Sequence, residues 1–484
     1  MGSNKDIEAG ALTPGYEQFG SPKIDGIQDE PKPRVSLGML LLISMPRMVI
    51  QMAWSAQWAA LGPYLGTMLP RFAVQLTQVI GPLSGILVAP TIGVLSDRSL
   101  NKWGRRRPFI LYAGVASVIC WILMGFTRQI GEACGDYGDG SEGTPTSRTW
   151  TAFFMVVFYT WMDVTVNVVQ VPVFLMIADM AGDRQTTGAA LGQGWSTLGS
   201  LLISGYIEIF GPAHKSLGYF LGMLAVVMLV SVALVCTLVK EEPLPETDAP
   251  KESTLKQVGQ AFKSIYTGLK SLPAVLAIYC FIFFCVEYGY TAYNGNKGQF
   301  FGIEVYGGNP DSADQCDGSP KGCTAEQDAY NHGVKVAGGS TDLIFNSVGY
   351  IFSWIVPFFV SKIGAKWTLT ASLVPQALLM VMAFSDIVGL NVFIVVVTSL
   401  SQVIVFALLV PVIIHVYGDK EDIGVYVGAL NSANCFGQLL NFVIGAAIVE
   451  TSMGYKLPVF IGGVMSLIGV IVSIFFFKIK MYSL

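Results

Sequence analysis

Charge is scarce in this sequence, and so are the residue patterns of catalytic centres. Charged residues make up 13% of the 484 positions, against roughly 25% in soluble globular proteins. The three histidines are scattered, and no nucleophile–base pair, metal-ligand cluster or phosphate-binding loop is present. These absences argue against a soluble enzyme, so we expect no enzymatic activity, no metal and no cofactor. The basic residues sit in short loops rather than on one face, which argues against a nucleic-acid partner.

A secretory signal is also missing. The first 36 residues are polar and rich in Gly and Pro, without the basic and then apolar stretch that precedes a signal cleavage site. Segment 1–36 is therefore predicted to be a disordered cytoplasmic N-terminus, and the first span is expected to act as its own insertion signal.

Long hydrophobic runs replace the missing charge: 52% of the residues are hydrophobic, with a mean hydropathy of +0.56. A span needs about 20 mostly apolar residues, and its backbone must form its hydrogen bonds within a helix. The pattern predicts an all-α membrane protein with twelve transmembrane helices, in a six-helix half at 37–239 and another at 272–478. The linker 240–271 is interpreted as a cytoplasmic loop, and 479–484 as a cytoplasmic C-terminus. The predicted spans are 37–68, 73–96, 108–128, 149–180, 187–210, 216–239, 272–301, 339–361, 367–386, 390–416, 423–449 and 455–478.

Lys and Arg are unevenly divided between the two sides of these spans. The side with both termini holds 20 of the 29, and the opposite side holds 8. Because cytoplasmic loops carry the excess positive charge, both termini are predicted to be cytoplasmic. No sorting signal for an internal membrane is evident, so a multi-pass, monomeric plasma-membrane protein is expected, with a vacuolar or other internal membrane left open.

Three of the eight cysteines fall in the two long outer loops, where the compartment is oxidising. Cys316 and Cys323 enclose the turn-rich stretch DGSPKG, which makes them a candidate disulfide. Cys134 can equally pair with either of them.

An internal repeat supports the two halves. Residues 171–202 and the stretch from 410 align at an offset of 239, with VPV at 171–173 matching VPV at 410–412. Both stretches cover a helix, a short loop and the next helix. Two parallel six-helix halves with a substrate site between them is the arrangement of major facilitator transporters.

The loop after the second span reads SDRSLNKWGRRRPF. Its acid, base and turn residues are Asp97, Arg98, Gly104, Arg105, Arg106 and Arg107. It resembles the major facilitator loop between helices 2 and 3, whose acid–base contacts hold the cytoplasmic side closed in one state. Anchoring by positive charge is the plainer interpretation. A reduced copy, SKIGAK, occupies 361–366 in the second half.

Asp163 is the clearest ionisable residue within a span, near the middle of FFMVVFYTWMDVTVNVVQVPVFLMIADM. Such a group is costly in lipid and is usually functional. Since burial disfavours a charged carboxylate, Asp163 is predicted to load and release a proton as water access alternates. The alternative is a neutral Asp163 that is hydrogen-bonded between helices.

Polar side chains near this acid suit a hydroxyl-rich ligand, because carboxamides both donate and accept hydrogen bonds. One predicted stripe follows Asp163 at i+4 and i+7, and an opposing stripe lies on the first span. Arg47, one turn away, either pairs with a carboxylate or extends to the cytoplasmic face, and the tryptophans either stack on a sugar or pack between helices. The predicted substrate contacts are Gln51, Trp54, Gln57, Trp58, Asn167, Gln170, Glu287 and Asn346.

These stretches together resemble the plant-type sucrose–proton symporters, in the glycoside-pentoside-hexuronide:cation branch of the major facilitator superfamily. The resemblance extends over about residues 45–450. It rests on QMAWSAQWAALGPYL (51–65), SDR and GRRRPF (96–109), DVTVNVVQVPVFLMIAD (163–179), EVYGGNP (304–310) and GVKVAGGSTDLIFNSVGYIFSWIVPFFVSKIGAK (333–366).

The resemblance implies that Asp163 couples transport to protons, with sucrose or a related glucoside bound beside it. The chain departs from the family at three places. Val166 replaces a second Asn, and Phe174 replaces an Arg. Near the outer end of helix 7, where the family has acidic residues, this chain has Gly295, Asn296 and Lys297. The transport class is expected to hold, with Glu287 as a candidate to compensate for the lost Arg. Maltose, trehalose and a hexose stay open as substrates.

The expected function is therefore proton-coupled symport of a sucrose-like sugar across a lipid bilayer by alternating access. Sodium coupling, as in melibiose-type relatives, and facilitative transport are alternatives within the class. A non-transporting sugar sensor is the alternative outside it, but such a protein is expected to carry a large cytoplasmic domain or tail, and the linker here is short.

The two halves are predicted to be chemically unequal. At the repeat offset Asp163 corresponds to Gln402, and Asn167 corresponds to Phe406. The first half is therefore expected to hold the proton and the main polar contacts. The second half is expected mainly to form the wall that rocks against it.

Overall fold

The computed structural model describes residues 35–138, 140–141, 144–241, 243, 253–318, 321–417 and 423–482. In this part of the chain nine helical segments are long and apolar enough to cross a membrane. One of them, Ala325–Met382, holds two spans that meet at the non-helical residue Gly364. The 26-residue helices Gln185–Phe210 and Ile423–Ile448 complete the twelve predicted spans. The predicted disordered segment 1–36 lies outside the described residues except for its last two.

The spans, numbered first to twelfth, follow the hydropathy closely because the backbone of each apolar run must satisfy its own hydrogen bonds. They are Leu37–Gly66, Arg71–Asp97, Arg107–Gly125, Thr149–Met180, Gln185–Phe210, Leu217–Leu238, Ala274–Asn294, the two parts of Ala325–Met382, Val388–Tyr417, Ile423–Ile448 and Lys456–Phe475.

The linker is not the simple loop that its composition suggests. A 17-residue helix, Thr254–Lys270, lies within it and packs against the second and the eleventh span, one from each half. The prolines that suggested a loop all precede residue 251, so residues 254–270 contain no proline to break a helix. We call Thr254–Lys270 the linker helix.

The helix pairings repeat between the halves. The first span packs on the fifth, the second on the fourth and the third on the sixth. In the second half the seventh packs on the eleventh, the eighth on the tenth and the ninth on the twelfth. The sequence repeat therefore corresponds to a repeat in packing.

Three π-helical segments interrupt this regular pattern: Gln57–Leu61 in the first span, Phe300–Val305 after the seventh, and Ala337–Thr341 in the eighth. A π segment inserts an extra residue per turn and often occurs at functional sites. Gln57–Leu61 and Ala337–Thr341 contact each other where the first half meets the second.

We call the end of the bundle with the linker helix the terminal face, and the end with segments 126–148 and 295–336 the loop face. At the loop face the halves contact each other directly. Gln299 Nε2 donates to the carbonyl oxygen of Gly62 at 2.9 Å, and the Tyr330 hydroxyl donates to that of Pro63 at 3.0 Å. The structure is therefore closed at the loop face.

A buried ion pair reinforces this closure. Arg148 of the first half lies 3.0 Å from Asp314 of the second, and their side chains are 10% and 5% exposed. Asp314 precedes the disulfide between Cys316 and Cys323, so the predicted pairing of these two cysteines is confirmed. Cys134 is a free, exposed cysteine.

Candidate functional site

Asp163 lies in the fourth span and is fully buried. Gln57 of the first span is close enough to interact with its carboxyl group, but neither carboxyl oxygen has a partner with hydrogen-bond geometry among the described residues. An ionised carboxylate without a partner is costly in such surroundings. These surroundings therefore favour the protonated form of the Asp163 carboxyl group.

Gln57 opens a π segment and is fully buried. Its Nε2 donates to the Tyr159 hydroxyl at 2.7 Å. Gly81 of the second span makes room for this group, since a Cβ at that position would lie 3.2 Å from Gln57 Nε2 and 3.7 Å from Asp163 Oδ2. The residue predicted as a sugar contact thus lies between the acid and a tyrosine hydroxyl.

The two predicted polar stripes meet each other. Trp54 Nε1 donates to Gln170 Oε1 at 2.7 Å, so the tryptophan of the first span and the amide of the fourth form one surface. Asn167 points elsewhere: its Nδ2 donates to Ser84 Oγ and to the carbonyl oxygen of Asp163, both at 2.9 Å. Asn167 therefore ties the fourth span to the second.

Gln51 and Trp58 are half-buried on the first span. Trp58 stacks on Phe442 of the eleventh span, with ring centroids 5.6 Å apart and planes inclined by 11°. This stack joins the two halves. Trp58 therefore packs between helices in this structure, one of the two roles predicted for the tryptophans.

The second half holds a buried acid of its own, Glu287 of the seventh span, which is 2% exposed. The side-chain amides of Gln402 and Gln438 lie beside it, and Gln402 Nε2 donates to Gln376 Oε1 at 3.3 Å. The second half therefore buries a polar cluster of its own, and whether it acts mainly as a wall stays a prediction. A repeat alignment compares equivalent positions, whereas this cluster is assembled from four different spans.

Arg47 places a positive charge beside position 174, where the family's arginine is absent from this chain. Its guanidinium lies 4.7 Å from the centroid of the Phe174 ring, and Phe174 is the residue that replaces the family's Arg. Nη1 and Nη2 of Arg47 also approach the carbonyl oxygen of Ala189 and Gln193 Oε1 at 3.5 and 3.4 Å. The guanidinium of the first span thus lies against the fourth span.

Arg106 organises the loop between the second and third spans. Its side chain, 3% exposed, pairs with Asp97 at 2.5 Å and with Asp179 at 3.1 Å, and Arg105 reaches Asp179 at 3.3 Å. These pairs join the ends of the second and fourth spans within one half. Arg98 Nη1 donates to Thr254 Oγ1 of the linker helix at 2.9 Å.

Gly104 has a φ of 109°, which strongly favours glycine. A Cβ at this position would lie 2.4 Å from Glu241 Oε2, and the same carboxylate accepts from the backbone N–H groups of Arg106 and Arg107. Gly364 of the reduced copy also has a positive φ, 80°. The turn chemistry of the motif is therefore retained in both halves, while its charges are not.

Sequence reasoning missed a buried ion pair in the second half. Lys297 contacts Asp342, and the side chains are 4% and 14% exposed. Asp342 lies inside the predicted span 339–361, so the rule that flagged Asp163 was sufficient to find it. Asn346, predicted as a sugar contact, donates from Nδ2 to the carbonyl oxygen of Asp342 at 2.7 Å.

The chain matches the family model described as MFS/sugar transport protein over residues 63–296. Sucrose transport protein SUT1 of Oryza sativa subsp. japonica is 28% identical over 362 residues, which cover 69% of this chain and 63% of that protein, less than two thirds of its length. SUT3 of Oryza sativa subsp. indica is 27% identical over 374 residues, covering 73% and 71%. SUC3 of Arabidopsis thaliana is 31% identical over 169 residues, covering 34% and 28%. The resemblance predicted from the sequence is confirmed.

Solved structures with the same fold include the nucleoside transporter NupG, with a TM-score of 0.60 and 14% identity over 92% of this chain and 100% of that one. The D-xylose-proton symporter has a TM-score of 0.59 and 14% identity, covering 91% and 97%. At such identities the likeness concerns the fold alone. It confirms the predicted arrangement of two six-helix halves.

Proposed function

For a multi-pass membrane protein that has the major facilitator fold and is related to the plant sucrose transport proteins, we propose proton-coupled symport of sucrose or a related glucoside by alternating access. The observation that carries the proposal is Asp163, a fully buried acid at mid-span whose carboxyl oxygens lack hydrogen-bond partners. The chain performs no covalent chemistry in this proposal, and its coupling ion is the proton. It acts as a monomer in the plasma membrane, with the terminal face in the cytoplasm.

Gln57 suits both protonation states of the acid. A carboxamide offers an acceptor to a protonated carboxyl group and a donor to an ionised one, and Gln57 Oε1 has no hydrogen-bond partner within the described chain. Asp163 takes a proton while the loop face is open, and the neutral carboxyl group donates to a sugar hydroxyl. Closure of the loop face and release of sugar and proton at the terminal face complete the inward half of the cycle.

The sugar is proposed to bind between the Trp54–Gln170 surface of the first half and the Glu287 cluster of the second. Tryptophan presents an apolar face to a sugar ring, and the amide and carboxyl groups take its hydroxyls. The positive charge of Arg47 takes the place of the arginine that the family has at position 174.

The proposal is tested with purified protein in liposomes. Asp163→Asn is expected to abolish accumulation of sugar against a gradient while exchange across the membrane continues. A potential of about 100 mV adds roughly 2.3 kcal/mol per proton, enough for nearly fifty-fold accumulation, so the loss is readily measured. Glu287→Gln is the matched control, a second buried acid neutralised without loss of coupling. Continued accumulation by Asp163→Asn refutes the coupling role.

Two substitutions of the medium separate the alternatives. Replacing sodium with choline at fixed pH is expected to leave uptake unchanged, and a loss of uptake means sodium coupling instead. Competition by unlabelled sucrose, maltose, trehalose and hexoses at acid pH identifies the sugar.

The role of Arg47 is tested by moving its charge. Arg47→Met is expected to reduce uptake about tenfold or more, because a charge-assisted hydrogen bond is lost. Phe174→Arg in that background is expected to restore part of the uptake, and Phe174→Leu, which adds no charge, is not. Equal behaviour of the two double variants contradicts the proposal.

A further inference from the structure

The buried pair of Lys297 and Asp342 lies where two spans lose their regular helical form. Lys297 follows the end of the seventh span at Asn294 and precedes the π segment Phe300–Val305. Asp342 follows directly on the π segment Ala337–Thr341. Interrupted spans of this kind are where transporters build their ion sites, because the broken helix turns polar groups toward the ion.

The ammonium group of Lys297 sits among oxygen atoms. It contacts Asp342 Oδ2, and Nζ donates to Asn294 Oδ1 at 3.0 Å. A carboxylate and an amide oxygen are ligands that a hard cation prefers.

The buried carboxylate of Asp342 requires a cation beside it. Asp342 is buried together with the Lys297 ammonium group, and removal of one partner of a buried ion pair strongly destabilises the folded protein. The ammonium group satisfies that need without any ion from solution, and as part of the chain it neither dissociates nor depends on a gradient.

We propose that Lys297 Nζ occupies a site for a monovalent cation, built from Asp342 and Asn294, and that this tethered ammonium makes the protein independent of sodium. When the ammonium group is removed and the space is kept, the site is open to an alkali cation. The inference deepens the proposed function, since it explains why a proton at Asp163 suffices. It depends on a different acid in the other half.

The test measures stability rather than uptake, so its failure is distinguishable from a failure of the Asp163 mechanism. The full-length protein and Lys297→Met are purified in choline chloride, and thermal unfolding is followed in choline, lithium, sodium or potassium chloride at one ionic strength. Met keeps most of the lysine stem and leaves the position of the ammonium group vacant. Choline is too large to enter.

The wild type is expected to unfold at the same temperature in all four salts. Lys297→Met is expected to unfold at least about 2 °C higher in one of the alkali salts than in choline, because an ion that binds the folded state alone stabilises it. Lys297→Met with Asp342→Asn is expected to lose this difference. Lys335→Met, a second lysine near the loop face, is the matched control and is expected to show none.

Two results overturn the inference. One is a Lys297→Met protein that folds but responds identically to all four salts. The other is a Lys297→Met protein that is recovered in none of the salts although Lys297→Met with Asp342→Asn is recovered, since an alkali ion then fails to replace the ammonium group.

Discussion

The two halves each bury an acid beside side-chain amides, but they place acid and amide on exchanged helices. In the first half Asp163 is on the fourth span and Gln57 on the first. In the second half Glu287 is on the seventh span, which packs as the first does, and Gln402 is on the tenth, which packs as the fourth does. Position by position, Asp163 corresponds to Gln402. When the helices are matched by their packing, each half has one acid and one amide on the same pair of helices, with their places exchanged.

This difference teaches that a repeat can keep a contact while inverting its chemistry. Asp163 has one amide and the Tyr159 hydroxyl nearby, and its oxygens lack partners. Glu287 has amides from the tenth and the eleventh span beside it, and its Oε1 likewise has no hydrogen-bond partner in the described chain. In the proposed function the proton is carried by Asp163, and Glu287 contributes to sugar recognition.

The largest expected effect comes from removing the buried Arg148–Asp314 ion pair, which joins the two halves at the loop face. Arg148→Ala leaves Asp314 buried without its ion-pair partner, and such a loss costs about 3–5 kcal/mol. Arg128→Ala is the matched control, because its pair with Glu132 is exposed and such pairs contribute at most about 1 kcal/mol. The unfolding temperatures of Arg148→Ala, Arg128→Ala and the wild type are measured in detergent. Similar losses from both variants show that the Arg148 pair does not hold the loop face closed.

The two motif glycines offer a direct comparison between the halves. Both Gly104→Ala and Gly364→Ala strain a positive φ, but a Cβ at Gly104 would lie 2.4 Å from Glu241, whereas the nearest atom to a Cβ at Gly364 is 3.1 Å away on Tyr482. Because of this clash we expect Gly104→Ala to cost about 1–3 kcal/mol more than Gly364→Ala. The midpoints of thermal unfolding of the two variants are compared. Equal losses of stability contradict the larger cost expected at Gly104.

Exchanging the acid and the amide in the second half sharpens the comparison between Glu287 and Asp163. Glu287→Gln is expected to weaken sugar binding about tenfold, as loss of one charged hydrogen bond does, with accumulation still driven by pH. Adding Gln402→Glu moves the acid to the position that Asp163 has in the first half, and binding is expected to recover. Equilibrium binding of labelled sugar measures both. Unchanged affinity in Glu287→Gln removes Glu287 from the sugar site.

The smallest effect concerns Asp136, in a loop that the second half does not copy. Burial raises the pKa of this carboxyl group, but hydrogen bonds from Thr151, Trp150 and Ser147 outweigh that effect and hold it below the ordinary value of about 3.9. Asp136→Asn is expected to cost at most about 1 kcal/mol at neutral pH, because a negative charge is lost at the start of the fourth span. Since the folded state favours the ionised form, this contribution is complete above about pH 4 and is lost as the pH falls below it.

Unfolding of Asp136→Asn and wild type is therefore compared across pH. The two curves are expected to converge under acid conditions. A constant difference shows that the carboxylate charge is not what caps the fourth span.

Much of this molecule follows from composition and hydropathy. The twelve spans, the two halves, Asp163 and the Cys316–Cys323 bond were all within reach, because span length, burial of charge and short-range cysteine spacing are local properties of the chain. The resemblance to sucrose transport proteins came from contiguous motifs for the same reason. The linker helix was not predicted, because the prolines that precede it led to the interpretation of the whole segment as a loop.

The tertiary structure alone decided which side chains meet. It brought Arg47 over Phe174, Lys297 to Asp342 and Trp54 to Gln170, each a contact between different helices. It also revealed that the acid missing at Gln402 is present at Glu287. No periodicity in one segment encodes such contacts, since they depend on how helices pack and on where π segments shift a helix face.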